Sequence, residues 1–172
     1  VKCLGYSDDQ IIPFLAKLSP PPGRMQQLEN THIWIDYAHT PDALDNALST
    51  LRKHYPEFKI RVIFGCGGDR DRGKRQIMGK IASERADSII LTNDNPRSED
   101  PQSIVDDILA GTKVEDDVQV ILDRGGAINS AIQTLGEEEA LLIAGKGHET
   151  TQVIGSKTLQ FSDVEVALNA IS

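Results

Sequence analysis

One loop of this sequence combines the side chains that recognition of a charged amino acid requires. The tetrapeptide Asp94-Asn95-Pro96-Arg97 follows an apolar run at 88–91 and precedes a helical pattern that starts near Pro101. Arginine can hold a carboxylate through two parallel hydrogen bonds, and Asp or Asn oxygens can receive an ammonium group. The loop therefore indicates a site for a zwitterion such as a free amino acid, although by itself it is equally compatible with a surface turn.

Three further loops carry unusual residues directly after apolar runs. In the loop at 36–41, Asp36 could accept ribose hydroxyls and His39 could meet a phosphate or a ring, or else Asp36 and Thr40 only organise a turn and a helix cap. The loop at 65–75 combines glycines with cations, which is typical of an anion-binding loop or of a solvated run of charge. The loop at 144–149, Ala-Gly-Lys-Gly-His-Glu, is a ligand loop or a flexible turn.

Strands that alternate with helices must position these loops. Strands are predicted at 32–36, 59–64, 87–91, 118–122 and 140–144. Helices are predicted at 41–54, 75–85, 101–109 and 126–135, and a final helix begins after the capping box at Ser162 and Glu165. A hairpin at 151–154 and 157–161 is predicted to form an antiparallel edge. This order predicts an α/β fold, a Rossmann-like three-layer sandwich with a mostly parallel sheet, in which all four loops share one edge.

Composition bounds the remaining function classes. The chain has 172 residues and a net charge of -8, which argues against a general nucleic-acid binder. No apolar run reaches membrane length, and we expect no signal peptide because the start lacks a charged region followed by an apolar core. Two cysteines, Cys3 and Cys66, without metal spacing indicate a reducing compartment, and we expect a cytoplasmic protein.

The amino-terminal region is expected to belong to another domain. The sequence lacks an initiator Met, which predicts a fragment or a processed piece. A helix is predicted at 8–18, and the proline-rich run at 19–23 cannot be crossed by a helix or a central strand. We therefore expect residues 1–19 to be the tail of a preceding domain and residues 20–172 to form a second domain, with a hinge at 20–23.

Taken together, the motifs resemble the carboxyl-terminal domain of the Mur ligases, in particular of the members that add meso-diaminopimelate. The resemblance is carried by P-G-R-M at 22–25, D-Y-A-H-T-P-D-A-L at 36–44, F-G-C-G-G-D-R-D-R-G-K-R at 64–75, D-N-P-R at 94–97, A-G-K-G-H-E at 144–149 and F-S-D-x-E-V-A at 161–167. It covers essentially the whole chain, with residues 1–19 similar to the end of the family's central ATPase domain.

The resemblance implies ATP-dependent amide-bond formation in peptidoglycan synthesis. The implied partners are meso-diaminopimelate, UDP-N-acetylmuramoyl-L-alanyl-D-glutamate and the preceding domains of the same chain, without a nucleic acid or a membrane. ATP and Mg²⁺ would be bound mainly by the central domain, so no catalytic residue is assigned here and the isolated chain is expected to be inactive. The residues implied to hold the amino acid are Arg70, Asp94, Asn95, Arg97, Gly145 and Glu149, and those implied to contact the nucleotide are Arg24, Asp36 and His39.

Several alternatives stay open on the sequence. A lysine-adding Mur ligase or a folylpolyglutamate synthetase would keep the family and change the substrate, and D-N-P-R argues against both. Against the lysine-adding ligase, the reason is that lysine would leave Arg97 unpaired. A non-catalytic nucleotide- or anion-binding module would use only the glycine loops. A metal phosphoesterase would need Asp36, His39, Asp69, Asp71 and His148 as ligands, but their spacing is poor for a metal.

Overall fold

The structure, a computed structural model, describes residues 21–172 together with Gly5, Ser7, Asp9 and Ile12. The helix predicted at 8–18 and the domain tail predicted at 1–19 fall almost entirely outside the described residues.

Strands and helices alternate along the described chain, as the sequence patterns predict. The strands are β1 Gln26–Gln27, β2 Ile33–Asp36, β3 Lys59–Phe64, β4 Ser88–Leu91, β5 Val118–Val120, β6 Glu139–Ala144, β7 Thr151–Ile154 and β8 Lys157–Gln160. The helices are α1 Pro41–His54, α2 Gly73–Arg85, α3 Pro101–Leu109, α4 Arg124–Gln133 and α5 Asp163–Ile171.

Six strands form one twisted sheet in the order β1-β2-β6-β3-β4-β5. The pairs from β2 to β5 are parallel, and only the two-residue strand β1 runs antiparallel to its neighbour β2. Because the parallel strands all point the same way, the loops after β2, β3, β4 and β6 emerge at the same edge. The predicted α/β fold class is confirmed.

Each face of the sheet has its own hydrophobic core. Successive side chains of a strand point to opposite faces. In β6, Leu142 and Ala144 therefore pack with the helices α1, α2 and α3, whereas Leu141 and Ile143 pack with α4 and α5. The sheet is buried on both faces, which explains why its central strands are continuous apolar runs.

Side-chain caps set the beginnings of four helices. Thr40, Asp100 and Ser162 each accept the backbone N–H three residues on, and this confirms the predicted starts of α1, α3 and α5. Asp123 accepts the N–H groups of Gly125 and Gly126 at 3.2 and 3.1 Å. Helix α4 therefore begins at Arg124, two residues before its predicted start.

The hairpin β7–β8 forms as predicted but lies elsewhere than expected. It is a separate two-stranded sheet, not an edge of the main sheet, where β1 takes the antiparallel position. The reason is that β7 pairs with the loop after β4: Arg97 N donates to Val153 O at 3.1 Å, and Gly155 N donates to Arg97 O at 2.7 Å. The hairpin thereby covers that loop.

We predict different effects on stability from alanine at two helical glycines. Alanine favours a helix over glycine by about 1 kcal/mol. At Gly79 of α2, however, an added Cβ would overlap the Ile108 carbonyl oxygen of α3, where backbone meets backbone. Gly79→Ala should therefore lower the free energy of unfolding by about 1–3 kcal/mol, as overpacking does. Chemical denaturation would measure the change.

Gly125→Ala is the matched control. Its added Cβ would lie 3.7 Å from Asp123 and 3.7 Å from Phe161, which is ordinary van der Waals contact. This variant should be neutral or more stable than the wild type. Equal stability of the two variants would contradict the close α2–α3 contact.

Candidate functional site

The four predicted loops surround one open cleft of about 470 Å³ at the carboxyl edge of the sheet. All six residues predicted to hold an amino acid line it, together with His39, one of the three predicted to contact a nucleotide. The lining residues are Tyr37, His39, Thr40, Gly67, Arg70, Asp71, Lys74, Asp94, Asn95, Arg97, Gly145 and Glu149.

The other two predicted nucleotide contacts lie beside the cleft. Asp36 Oδ2 accepts the backbone N–H of Met25 at 2.7 Å, so this carboxylate also fixes the chain entering the domain. The Arg24 guanidinium stands 5.0 Å from the centre of the Tyr37 ring. The roles of Arg24, Asp36 and His39 toward a nucleotide stay predictions.

Arg97 is held by one nitrogen and presents the rest of its fork. Its Nη1 donates to Gly68 O at 2.8 Å and to Asn95 O at 3.4 Å. Within the part of the chain that the structure describes, Nε and Nη2 have no hydrogen-bond acceptor. The backbone of Arg97 has a φ of 52°, a left-handed conformation, and its hydrogen bonds to β7 and Gly155 hold it there. The side chain is thus preorganised to receive an anion.

Lys146 is a buried cation that organises the acids of the cleft. Its side chain is fully buried, and Nζ lies 3.0 Å from Glu149 Oε2, 3.2 Å from Asn95 Oδ1 and 3.5 Å from Asp94 Oδ1. Asn95 in turn donates to Glu149 at 3.3 Å, while its oxygen accepts Val153 N at 2.9 Å. These contacts join the loops after β4 and β6 into one acidic wall.

The electrostatics of this wall favour an ionised Glu149. Burial acts to raise the pKa of the Glu149 carboxyl, but the hydrogen bond and charge of Lys146, with help from Asn95, bring that pKa below its usual value. Burial and the neighbouring Glu149 carboxylate raise the pKa of the Tyr37 phenol. The cleft therefore keeps a carboxylate beside a neutral phenol.

The glycines after β3 serve close packing of two loops. An added Cβ on Gly65 would overlap Thr92 O, and one on Gly68 would overlap Pro96 O. The backbone N–H of Gly68 donates to Asn95 O at 2.9 Å, so it is already hydrogen-bonded within the protein. The sequence signal that predicted an approach to a ligand thus reflects, at these two positions, the approach of the neighbouring loop.

Arg75 connects the same two loops from the interior of the protein. Its side chain is fully buried and donates to both oxygens of Glu99 at 2.9 and 3.0 Å, to Asp107 at 2.9 Å and to Gly67 O at 3.3 Å. The hydrogen bond from Arg75, followed by the one from the Asp69 N–H, lowers the pKa of Glu99 to about 2. The alternative that this charged run is merely solvated is wrong for Arg75.

Sequence reasoning did not assign a role to four buried charged residues behind the cleft. They are Arg75, Arg124, Lys146 and Asp163. Arg75, Lys146 and Asp163 lie in motifs that the sequence did single out, whereas Arg124 lies just before a predicted helix. A charged residue in a loop or cap is normally exposed. Only the three-dimensional structure shows that these are not.

An aromatic cluster forms the rim toward the entering chain. The Tyr37 ring centre lies 4.5 Å from that of His39 and 5.1 Å from that of His148. His39 Nδ1 lies 2.8 Å from Tyr37 O, and Lys74 Nζ donates to His39 O at 2.7 Å. The rim thus joins the loops after β2 and β6 to the start of α2.

Two other site classes find no support in the described residues. In this part of the chain, no three His, Cys, Asp or Glu side chains gather as metal ligands would, so the donor set does not fit a magnesium site of its own. Among the same residues, no helix combines the length and the apolar composition of a bilayer span.

Comparison with known proteins decides the family. Residues 23–147 match the family described as Mur ligase, glutamate ligase domain. This chain belongs to the Mur ligase family.

Curated relatives and a solved structure extend the similarity. The chain is 51% identical over 166 residues to UDP-N-acetylmuramoyl-L-alanyl-D-glutamate--2,6-diaminopimelate ligase of Coxiella burnetii. This alignment covers 95% of the chain and 34% of that relative. It is 46% identical over 169 residues to the ligase of the same name from Rickettsia rickettsii, covering 98% and 35%. A solved structure of a ligase with this name superposes with a TM-score of 0.82 at 40% identity, and the match covers 99% of this chain and 35% of that structure. The chain thus spans about a third of the length of these relatives.

We predict that Glu99 stabilises the fold in a pH-dependent way. Its pKa in the folded state, about 2, lies below its ordinary value of 4.5. The stabilisation is therefore complete above about pH 4.5 and is lost as the pH falls toward 2. Glu99→Gln should lower the thermal midpoint clearly at pH 6, and the difference from wild type should vanish toward pH 2.

Glu84→Gln is the matched control, since Glu84 is an exposed acid of α2 whose ion pair with Lys80 is 3.8 Å long. It should change the midpoint little at either pH. A Glu99→Gln effect that stays constant from pH 6 to pH 2 would contradict the ion pair with Arg75.

Proposed function

We propose that this chain is the amino-acid-binding domain of an ATP-dependent ligase that adds meso-diaminopimelate to UDP-N-acetylmuramoyl-L-alanyl-D-glutamate. The observation that carries the proposal is the open guanidinium fork of Arg97 facing the same cleft as Asp94 and Glu149. The names of the relatives support it, and the whole enzyme's activity is part of the proposal because the chain spans about a third of their length.

The cleft offers complementary charges to the distal end of diaminopimelate. Arg97 would bind the distal carboxylate through Nε and Nη2, and Glu149 with Asp94 would bind the distal ammonium. Lys146 already neutralises part of the acidic charge, which leaves room for one ligand cation. Lysine has the distal ammonium but lacks the distal carboxylate, and its binding would leave Arg97 without an anion. Arg70 and the backbone at Gly145 complete the predicted contacts.

In the proposed reaction, ATP phosphorylates the carboxylate of the nucleotide-linked dipeptide and releases ADP. The amine of diaminopimelate then attacks the acyl phosphate, an amide bond forms, and inorganic phosphate and a proton leave. This domain would orient the amine. ATP and Mg²⁺ would be held mainly by a preceding domain, with Arg24, Asp36 and His39 as contacts to the nucleotide. Closure would occur about a hinge at 20–23. Reducing conditions in the cytoplasm would suit the free, buried thiol of Cys66.

Arg97→Met tests the specificity claim in the full-length protein that carries this domain. The variant removes the guanidinium but keeps the length of the side chain. We expect the KM for diaminopimelate to rise about 10- to 100-fold, because hydrogen bonds between charged groups are worth about 1.5–3 kcal/mol. Rates with lysine, which are expected to be very low in the wild type, should not fall further.

Arg72→Met is the matched control, because Arg72 is also an arginine bound to this edge, with 69% of its side chain exposed, and lies outside the cleft. Its KM for diaminopimelate should match that of the wild type. Equal wild-type rates with lysine and diaminopimelate would refute the role of Arg97. Saturable diaminopimelate binding without any turnover in the full-length protein would favour a non-catalytic binding module.

The isolated 172 residues should not turn over. The proposed reaction needs groups that hold the ATP phosphates and magnesium, and the described residues supply no such metal-binding cluster. We expect no diaminopimelate-dependent release of phosphate from ATP by the isolated chain, whereas the full-length protein should release it. Turnover by the isolated chain would contradict the proposal that a preceding domain holds ATP and Mg²⁺.

A further inference from the structure

We propose that Arg124 is a positioning residue for the amino-acid site, with Asp163 as its anchor. The pair holds the backbone of two ligand loops from behind and thereby sets the affinity for the amino-acid substrate. The inference rests on the proposed function and deepens it, since it concerns the same site.

The contacts of Arg124 converge on the two loops. Its Nη2 donates to Ala144 O at 3.0 Å, directly before Gly145, and its Nη1 donates to Asn93 O at 3.4 Å, directly before Asp94. Strands β6 and β4 lie on either side of β3, so one guanidinium spans the ends of two strands that do not pair with each other. Five N–H donors in a rigid plane make arginine suited to this task.

Asp163 fixes the orientation of the guanidinium. Its two oxygens accept Nε and Nη2 of Arg124, each at 2.7 Å, and both side chains are fully buried. Asp163 is the first residue of α5, where the positive end of the helix dipole favours a carboxylate. The final helix is therefore tied to the cleft through a single bidentate ion pair.

The positive charge of Arg124 also lies close to the ligand-binding acids. A Cβ built on Gly145 would lie 3.6 Å from Asp94 Oδ2 and 4.0 Å from Arg124 Nη2. Arg124 thus approaches from the core side the surface that Asp94 and Gly145 present to the cleft. A pair serving stability alone could bond any carbonyls, whereas these two immediately precede predicted ligand residues.

The deciding experiment removes the pair without leaving a buried charge alone. In the full-length protein, Arg124→Met combined with Asp163→Leu keeps the volume apolar, a replacement that folded proteins often tolerate. We expect the KM for diaminopimelate to rise at least about tenfold because the loops lose their alignment, while the KM for ATP changes less than about twofold.

Arg61→Met combined with Glu139→Leu is the matched control. This pair is also a mostly buried Arg–carboxylate pair, with a distance of 2.9 Å, and Arg61 likewise donates to a backbone carbonyl, that of Ala131. It lies at the opposite edge of the sheet, away from the cleft. The control should shift the thermal midpoint comparably and leave both KM values unchanged.

A smaller rise in the KM for diaminopimelate, or an equal rise for ATP, would overturn the proposal. If the double variant does not fold, Arg124→Lys decides by the same criterion, because it keeps the positive charge beside Asp163 but lacks the planar fork that reaches both carbonyls. A wild-type protein without diaminopimelate-dependent turnover would instead overturn the proposed function, and this inference with it.

Discussion

Buried positive charge is the constraint on which the loops at the carboxyl edge of the sheet depend. Arg75, Arg124 and Lys146 are all fully buried there. A buried cation is costly unless hydrogen bonds and an anion compensate it inside the protein. The helices α3 and α5 supply Asp107 and Asp163, and the loops supply the other partners, so the loop carbonyls and carboxylates are fixed around three buried cations. The loops are ordered by this requirement in addition to packing.

The same arrangement sets what the cleft can bind. Lys146 partly neutralises Asp94 and Glu149, so the acidic wall has capacity for one additional cation. Arg97 lies outside that network and bonds backbone carbonyls through one nitrogen only. The carboxylates and the Arg97 guanidinium therefore face the cleft separately and form no ion pair with each other. Under the proposed function, a ligand with one ammonium and one carboxylate at matching separation would bind both groups without removing any internal ion pair.

Sequence patterns predicted the strand order along the chain and the shared edge because both follow from local periodicity and from parallel pairing. They did not predict which charges are buried. Asp163 lies in a capping sequence that ordinarily faces water, and its partner Arg124 is 39 residues away. Burial of such a residue depends on a contact between distant segments, which no local pattern encodes. The location of the hairpin was missed for the same reason, since its partner is the loop at Arg97.

The chain enters this domain in direct contact with the loop after β6. Gly23 has a φ of 65°, and a Cβ there would overlap the backbone of Gly147 and His148. A Cβ on Gly147 would in turn lie 2.7 Å from Gly23 O and from Tyr37 Cβ. The entering segment and the loop carrying Glu149 are thus packed backbone against backbone. Within the hinge proposed at 20–23, we therefore place the rotation before Gly23, because motion at Gly23 itself would displace the loop that carries Glu149.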